Sequence, residues 1–169
     1  CEELGDKSGI SFIMGNMGIA CKDEGNLKLA IEYFDRSMQI CIEIGNKLVL
    51  ADKLILKADI YLIEKKYKEA IEICDEGLMM AKEIADLKSI FNGRILKNKL
   101  ISVQDKESGI LSLESMLNDY KEESQIADIN FELFKLIIIK IETKNKLKNK
   151  ILFFIKKLEN LKIIPPPVN

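Results

Sequence analysis

The chain of 169 residues contains no histidine. That absence removes the commonest general base near neutral pH and the commonest metal ligand. Neither a Ser–His nor a Cys–His nucleophile pair can be assembled from it. Cysteine is sparse: Cys1, Cys21, Cys41 and Cys74, with no C-x-x-C pair. This spacing is neither that of a zinc site nor that of a small disulfide framework. The cysteines read instead as small hydrophobes on packing helix faces. Free thiols point to a reducing compartment, and a cytoplasmic location is the expectation.

Proline is confined to the tail "PPPVN", residues 165–169. Consecutive prolines favour an extended polyproline conformation, here a linker or frayed end. A phosphate-binding loop is missing too, because "GDKSG" lacks the upstream glycine and the preceding strand of a P-loop. No basic-then-apolar signal pattern is visible. The longest apolar stretch, "LFKLIIIKI" at residues 133–141, is interrupted by Lys135 and Lys140. It falls short of the ~18 apolar residues that cross a bilayer.

Charge of either sign is balanced to a formal net of −1, so the chain as a whole is not built to track phosphate backbones. The sign is uneven along its length: 17 acids against 11 bases in residues 1–86, and 10 against 15 in residues 87–169. The adjacent acids Asp23–Glu24 and Asp75–Glu76 do not alternate along a loop as calcium ligands do. No carboxylate pair stands out as an acid/base couple. These absences together predict no enzyme, no cofactor, no metal, no nucleic-acid binding by this segment and no membrane insertion.

What the chain does have is a repeat. "CEELGDK" at residues 1–7 returns as "CIEIGNK" at residues 41–47. A shift of forty residues places Glu24, Lys28, Ala30, Ile31, Glu32, Asp35, Glu43 and Ile44 on Glu64, Lys68, Ala70, Ile71, Glu72, Asp75, Glu83 and Ile84. All eight pairs are identical, and self-similarity at such a period signals a repeat architecture. Within a unit, apolar or small residues recur at helical spacing: Met14, Met17, Gly18, Cys21, then Leu27, Ala30, Ile31, Phe34, Met38, Cys41. Gly25–Asn26 and Gly45–Asn46 stop these stripes, since both residues tolerate the left-handed conformation that ends a helix. The second unit follows with Leu54, Ala58, Tyr61 and Tyr67, Ala70, Ile71, Cys74, Leu78, but its first stop, "EKKY", has no glycine. The third has drifted by one residue, with Leu96 and Leu100 and then Gly109, Ile110, Leu113, Met116 and Leu117. No strand signal competes.

The organisation that follows is a remnant of a preceding repeat at 1–7 and repeats at 8–46 and 47–86. A divergent repeat at 87–121 comes next, then a degenerate one with a capping helix at 122–162 and an extended tail at 163–169. In the last, Ile126–Ile141 is one helix and Lys144–Leu161 the other. Leu147, Ile151, Phe154, Ile155, Leu158 and Leu161 form its apolar stripe, and Lys148, Lys150, Lys156 and Lys157 its polar outer face. The expected fold class is all-α, a right-handed α-solenoid of stacked antiparallel helix hairpins, as part of a longer protein.

The pattern Met14, Met17, Gly18, Cys21, Ala30, Phe34, with its weaker copy Leu54, Lys57, Ala58, Tyr61, Ala70, Cys74, resembles the tetratricopeptide repeat. The small residues let the paired helices approach, where larger ones would cost roughly 1–3 kcal/mol. The period here is forty residues rather than the family's 34. The repeat-closing proline is missing, and Ile42 and Lys82 stand near its place. A forty-residue version with Gly-Asp or Gly-Asn joints is similar to the repeats of kinesin light chain and of many bacterial sensory and regulatory proteins.

The resemblance implies a concave groove, lined by the first helix of each repeat, that holds extended or helical peptides. The residues opposite each buried small residue are Phe12, Asn16, Ile19 and Asp23; Asp52, Ile55, Asp59 and Ile63; and Phe91, Arg94 and Asn98. Arrays of the forty-residue type often use an asparagine at the place of Asn16 to hold a peptide backbone, because an amide donates and accepts at once. The expected function is a non-enzymatic protein- or peptide-binding module whose partner is a protein or peptide segment. Two alternatives stand beside it. One is a sensory or regulatory domain attached to a kinase, cyclase or helix-turn-helix effector. The other is self-assembly, by self-association at the N-terminal edge of the array.

Overall fold

The computed structural model describes residues 2–141, with side chains described for residues 7–137. Among these the chain is all-helical. Its helices are α1 (Glu2–Asp23), α2 (Leu27–Ile44), α3 (Lys47–Ile63), α4 (Tyr67–Glu83), α5 (Leu87–Gln104), α6 (Lys106–Asp119) and α7 (Glu123–Ile141). No strand is present among the described residues. The expected helix Lys144–Leu161 and the proline tail lie outside them. Two compact units divide the chain, residues 1–100 and residues 101–169.

In the first unit, helices end and restart on a rhythm of twenty residues. Gly25, Gly45, Lys65 and Ala85 all take a positive φ, at 82°, 69°, 62° and 55°. Each sits in the same pair of backbone hydrogen bonds. Asn26 N–H donates to Cys21 C=O and Gly25 N–H to Lys22 C=O; Lys66 N–H donates to Tyr61 C=O and Lys65 N–H to Leu62 C=O. The joints at 45 and 85 repeat this pattern. It satisfies carbonyls that the last helical turn leaves without partners. The asparagine after each glycine then starts the next helix: Asn26 Oδ1 accepts from Leu29 N–H at 3.3 Å, and Asn46 Oδ1 from Val49 N–H at 3.2 Å. At α6 the chemistry changes, and extended Asp105 caps the helix through its carboxylate on Glu107 N–H at 3.0 Å.

One expected joint is absent. The alignment places a turn at Gly5, as at Gly45, but α1 continues through it from Glu2. Glycine permits the left-handed turn without imposing it.

α1 packs on α2, α3 on α4, and α2 on α3. The contacts run antiparallel in the first pair. Ser37 Oγ donates to Ser11 C=O at 2.7 Å, and Gly18 meets Phe34 and Ala30. A Cβ added at Gly18 would lie 2.5 Å from the Phe34 ring, so the close approach expected at this glycine is present. In the second pair Gly77 takes the place of Ser37, and its missing side chain makes room for Ile55 and Leu54. Ala30, Phe34 and Ile60 form one fully buried cluster; Ile55, Ala58, Ala70, Cys74, Leu78, Leu96 and Leu100 form another. In the second unit α6 packs on α7. There Leu113, Met116, Ile129 and Leu133 are fully buried, and Gly109 approaches Ser102.

Four ion pairs, two kinds each made twice, carry the forty-residue period into three dimensions. Lys7 binds Glu43 and Lys47 binds Glu83; Lys57 binds Asp35 and Lys97 binds Asp75.

Candidate binding face

The N-terminal turns of α3 and α5, with the middle of α1, enclose a concavity of about 250 Å³. Phe12 contributes from α1, and Leu48, Val49, Asp52 and Lys53 from α3. Asp86, Lys88 and Ser89 close it at the start of α5. Leu48 and Val49 are the forty-residue counterparts of Lys88 and Ser89, so one surface of the repeat is presented twice, once apolar and once polar. Phe12 and Leu48 are more than half exposed. They offer an open apolar surface.

Lys53 forms the floor. Its side chain lies across Gly15, where any added Cβ would meet its aliphatic stem. Its ammonium binds Asp52 at 2.7 Å, and the side chain is only 6% exposed. The stem buries apolar surface while the charge stays paired at the edge of the concavity. At the equivalent interface one repeat later the sizes are exchanged, with Ile55 large and Gly93 small.

The eleven residues expected to line a groove separate into three groups. Phe12, Asn16, Asp23 and Ile63 are exposed; Asp52, Asp59, Ile19 and Arg94 are partly covered. Phe12 and Asp52 meet in the concavity. Asp59 instead receives Lys22 from α1 at 2.6 Å, and Ile19 packs against the Ala30–Phe34–Ile60 cluster. Ile55, Phe91 and Asn98 are buried, at 5%, 6% and 4% exposure, and face no solvent. A first helix was expected to bury one stripe and leave the opposite face open. α3 is instead touched by α1, α2 and α4. Ile55 fills the space that Gly77 and Gly93 leave beside it.

Sequence reasoning missed Leu48, Val49, Lys53, Asp86, Lys88 and Ser89. The period could have pointed to them, since they cluster at the same phase of successive units. It did not reveal that the opening lies at the start of α3 and α5.

Cys41 and Cys74 behave as apolar packing groups. Each is 1% exposed, and the Cys74 thiol donates to Gly93 C=O at 3.5 Å. Burial pushes the Cys74 thiol up to about 11, with the Asp75 carboxylate adding to the effect. A thiol held neutral in this way is a poor nucleophile. Among the described residues no group of three or more Cys, Asp or Glu side chains is placed to hold a metal ion. No helix among them is long and apolar enough to cross a membrane. Compared with known proteins, the chain matches no family model and no curated protein.

Proposed function

We propose that this chain is a non-enzymatic, tetratricopeptide-like module in which stacked helix pairs form a right-handed solenoid. On this reading it binds a protein or peptide segment along the face made by α1, α3 and α5. The concavity carries the proposal: exposed Phe12 and Leu48 with Val49 beside the paired Asp52 and Lys53, and polar Ser89 opposite. Such a surface suits a peptide with an aliphatic or aromatic anchor, because specific sites combine an apolar body with a few placed polar groups. Asn16 lies one turn along α1 from Phe12, exposed and able to pair with a main-chain amide.

The test uses a displayed library of random dodecapeptides selected against the chain. Binders should carry an apolar anchor, and Phe12→Ala or Leu48→Ala should weaken them by about tenfold each, as losing a buried side chain of ~1.5 kcal/mol or more requires. Both side chains are exposed, so neither change should disturb folding. Binders indifferent to both substitutions, or no binders at all, would sink the proposal.

A further inference from the structure

The outer face of α1 carries Ile10, Ile13 and Met17, at 43%, 59% and 43% exposure, with exposed Ala20 continuing the stripe. At helical spacing these four residues lie on one side of α1, away from the Ser11, Gly15 and Gly18 side that is buried. The same register occurs twice more. Positions 50, 53, 57 and 60 of α3 and 90, 93, 97 and 100 of α5 correspond to 10, 13, 17 and 20 at spacings of forty and eighty. There the C-terminal half of the face, positions 57 and 60 of α3 and 97 and 100 of α5, meets the second helix of the preceding pair, while Lys53 lies against Gly15 of α1 instead. Ile60 is fully buried with Ala30 and Phe34 of α2, and Leu100 is 2% exposed in the cluster with Cys74 and Leu78 of α4.

The covering helix also makes one repeated ion pair: Asp35 of α2 with Lys57, and Asp75 of α4 with Lys97. On α1 the residue at that position is Met17. The face therefore keeps the shape of a helix seat and loses its cation.

We propose that the outer face of α1 is the seat of a further amphipathic helix of the α2 and α4 kind. It lies antiparallel to α1 and presents an apolar side chain where those helices present Asp35 and Asp75. Continuity with the α2–α3 and α4–α5 interfaces gives the geometry, and Met17 gives the chemistry. A second copy of this chain is not the occupant, because the matching faces of its α2 and α4 are already taken by its own α3 and α5, with Asp35 on Lys57 and Asp75 on Lys97. The proposal is independent of the concavity, because Phe12 lies on a different side of α1.

The experiment titrates the whole chain with two fluorescent peptides. One is the α2 sequence, residues 27–44, stapled on its outward side; the other is the same peptide with Asp35→Leu. The Leu peptide should bind more tightly by about fivefold, because Met17 gives the Asp carboxylate no cation and leaves it unpaired against an apolar side chain. Met17→Lys should reverse the preference, and Phe12→Ala should change neither affinity. Circular dichroism of the Met17→Lys chain, whose altered side chain is exposed, checks that it is folded. Equal binding of the two peptides, a preference unmoved by Met17→Lys, or no binding of either would overturn the proposal. So would a concentration-dependent dimer of the chain alone that Ile13→Asp abolishes, since a second copy would then be the occupant.

Discussion

Lys65 and Ala85 hold backbone conformations that suit glycine. Their φ values, 62° and 55°, lie in the left-handed region, where a Cβ crowds the following carbonyl. The twenty-residue rhythm overrides local preference here, because the two-bond helix end and the packing on either side select the same turn with or without glycine. The sequence showed a stop at Gly25 and Gly45 and only a weaker one at "EKKY", since a lysine carries no local signal for a positive φ. Lys65→Gly and Ala85→Gly should therefore stabilise the chain, each by about 0.5–1 kcal/mol after the added freedom of the unfolded glycine is subtracted. Gly25→Ala should destabilise it by about 1 kcal/mol. Urea unfolding monitored by circular dichroism measures all three. A loss of stability in Lys65→Gly would show that the lysine side chain matters more to the joint than its backbone strain.

At the scale of the helix pair, small residues set how closely two elements approach. Gly18 stands against the fully buried Phe34 ring and 3.2 Å, measured from an added Cβ, from the Ala30 carbonyl. Gly18→Ala should gain up to about 1 kcal/mol of helix propensity. It should lose about 1–3 kcal/mol by overpacking. The net expectation is a loss of about 1 kcal/mol, seen as a lower urea midpoint, and the companion change Phe34→Leu should recover part of it by making room. Unchanged stability in Gly18→Ala would mean that α1 and α2 separate at no cost. This close contact was legible in the sequence because Gly18, Ala58, Ala30 and Ala70 stand at fixed phases of the repeat. Helices α2, α3 and α4 were legible for the same reason, whereas α5, α6 and α7 were read from helical spacing alone. Ile55, Phe91 and Asn98 were misplaced because one period cannot show how many neighbours a helix has. α3 is flanked by α1, α2 and α4, so the face opposite Ala58 is covered as well.

Over the whole molecule, periodic charge is a conspicuous regularity of the described structure and a small part of its stability. The four repeated pairs join Lys7 to Glu43, Lys47 to Glu83, Lys57 to Asp35 and Lys97 to Asp75, and at least one partner in each is close to half exposed. Exposed pairs of this kind contribute about 0–1 kcal/mol each, because water and mobile ions screen them and two long side chains lose freedom. Burial of Phe34, Ile60, Leu100, Leu113, Met116, Ile129 and Leu133 acts on a different footing. Each such side chain is worth roughly 1.5–3 kcal/mol and does not respond to screening. Raising sodium chloride from about 0.05 M to about 0.5 M shortens the screening length to a few ångströms and should remove most of what the exposed pairs give. The urea midpoint should then fall only slightly, corresponding to less than about 2 kcal/mol in all. Urea is the right denaturant, since it leaves the ionic strength free to vary. A fall that halves the stability would mean that the repeated ion pairs, rather than the apolar clusters, hold these helices together.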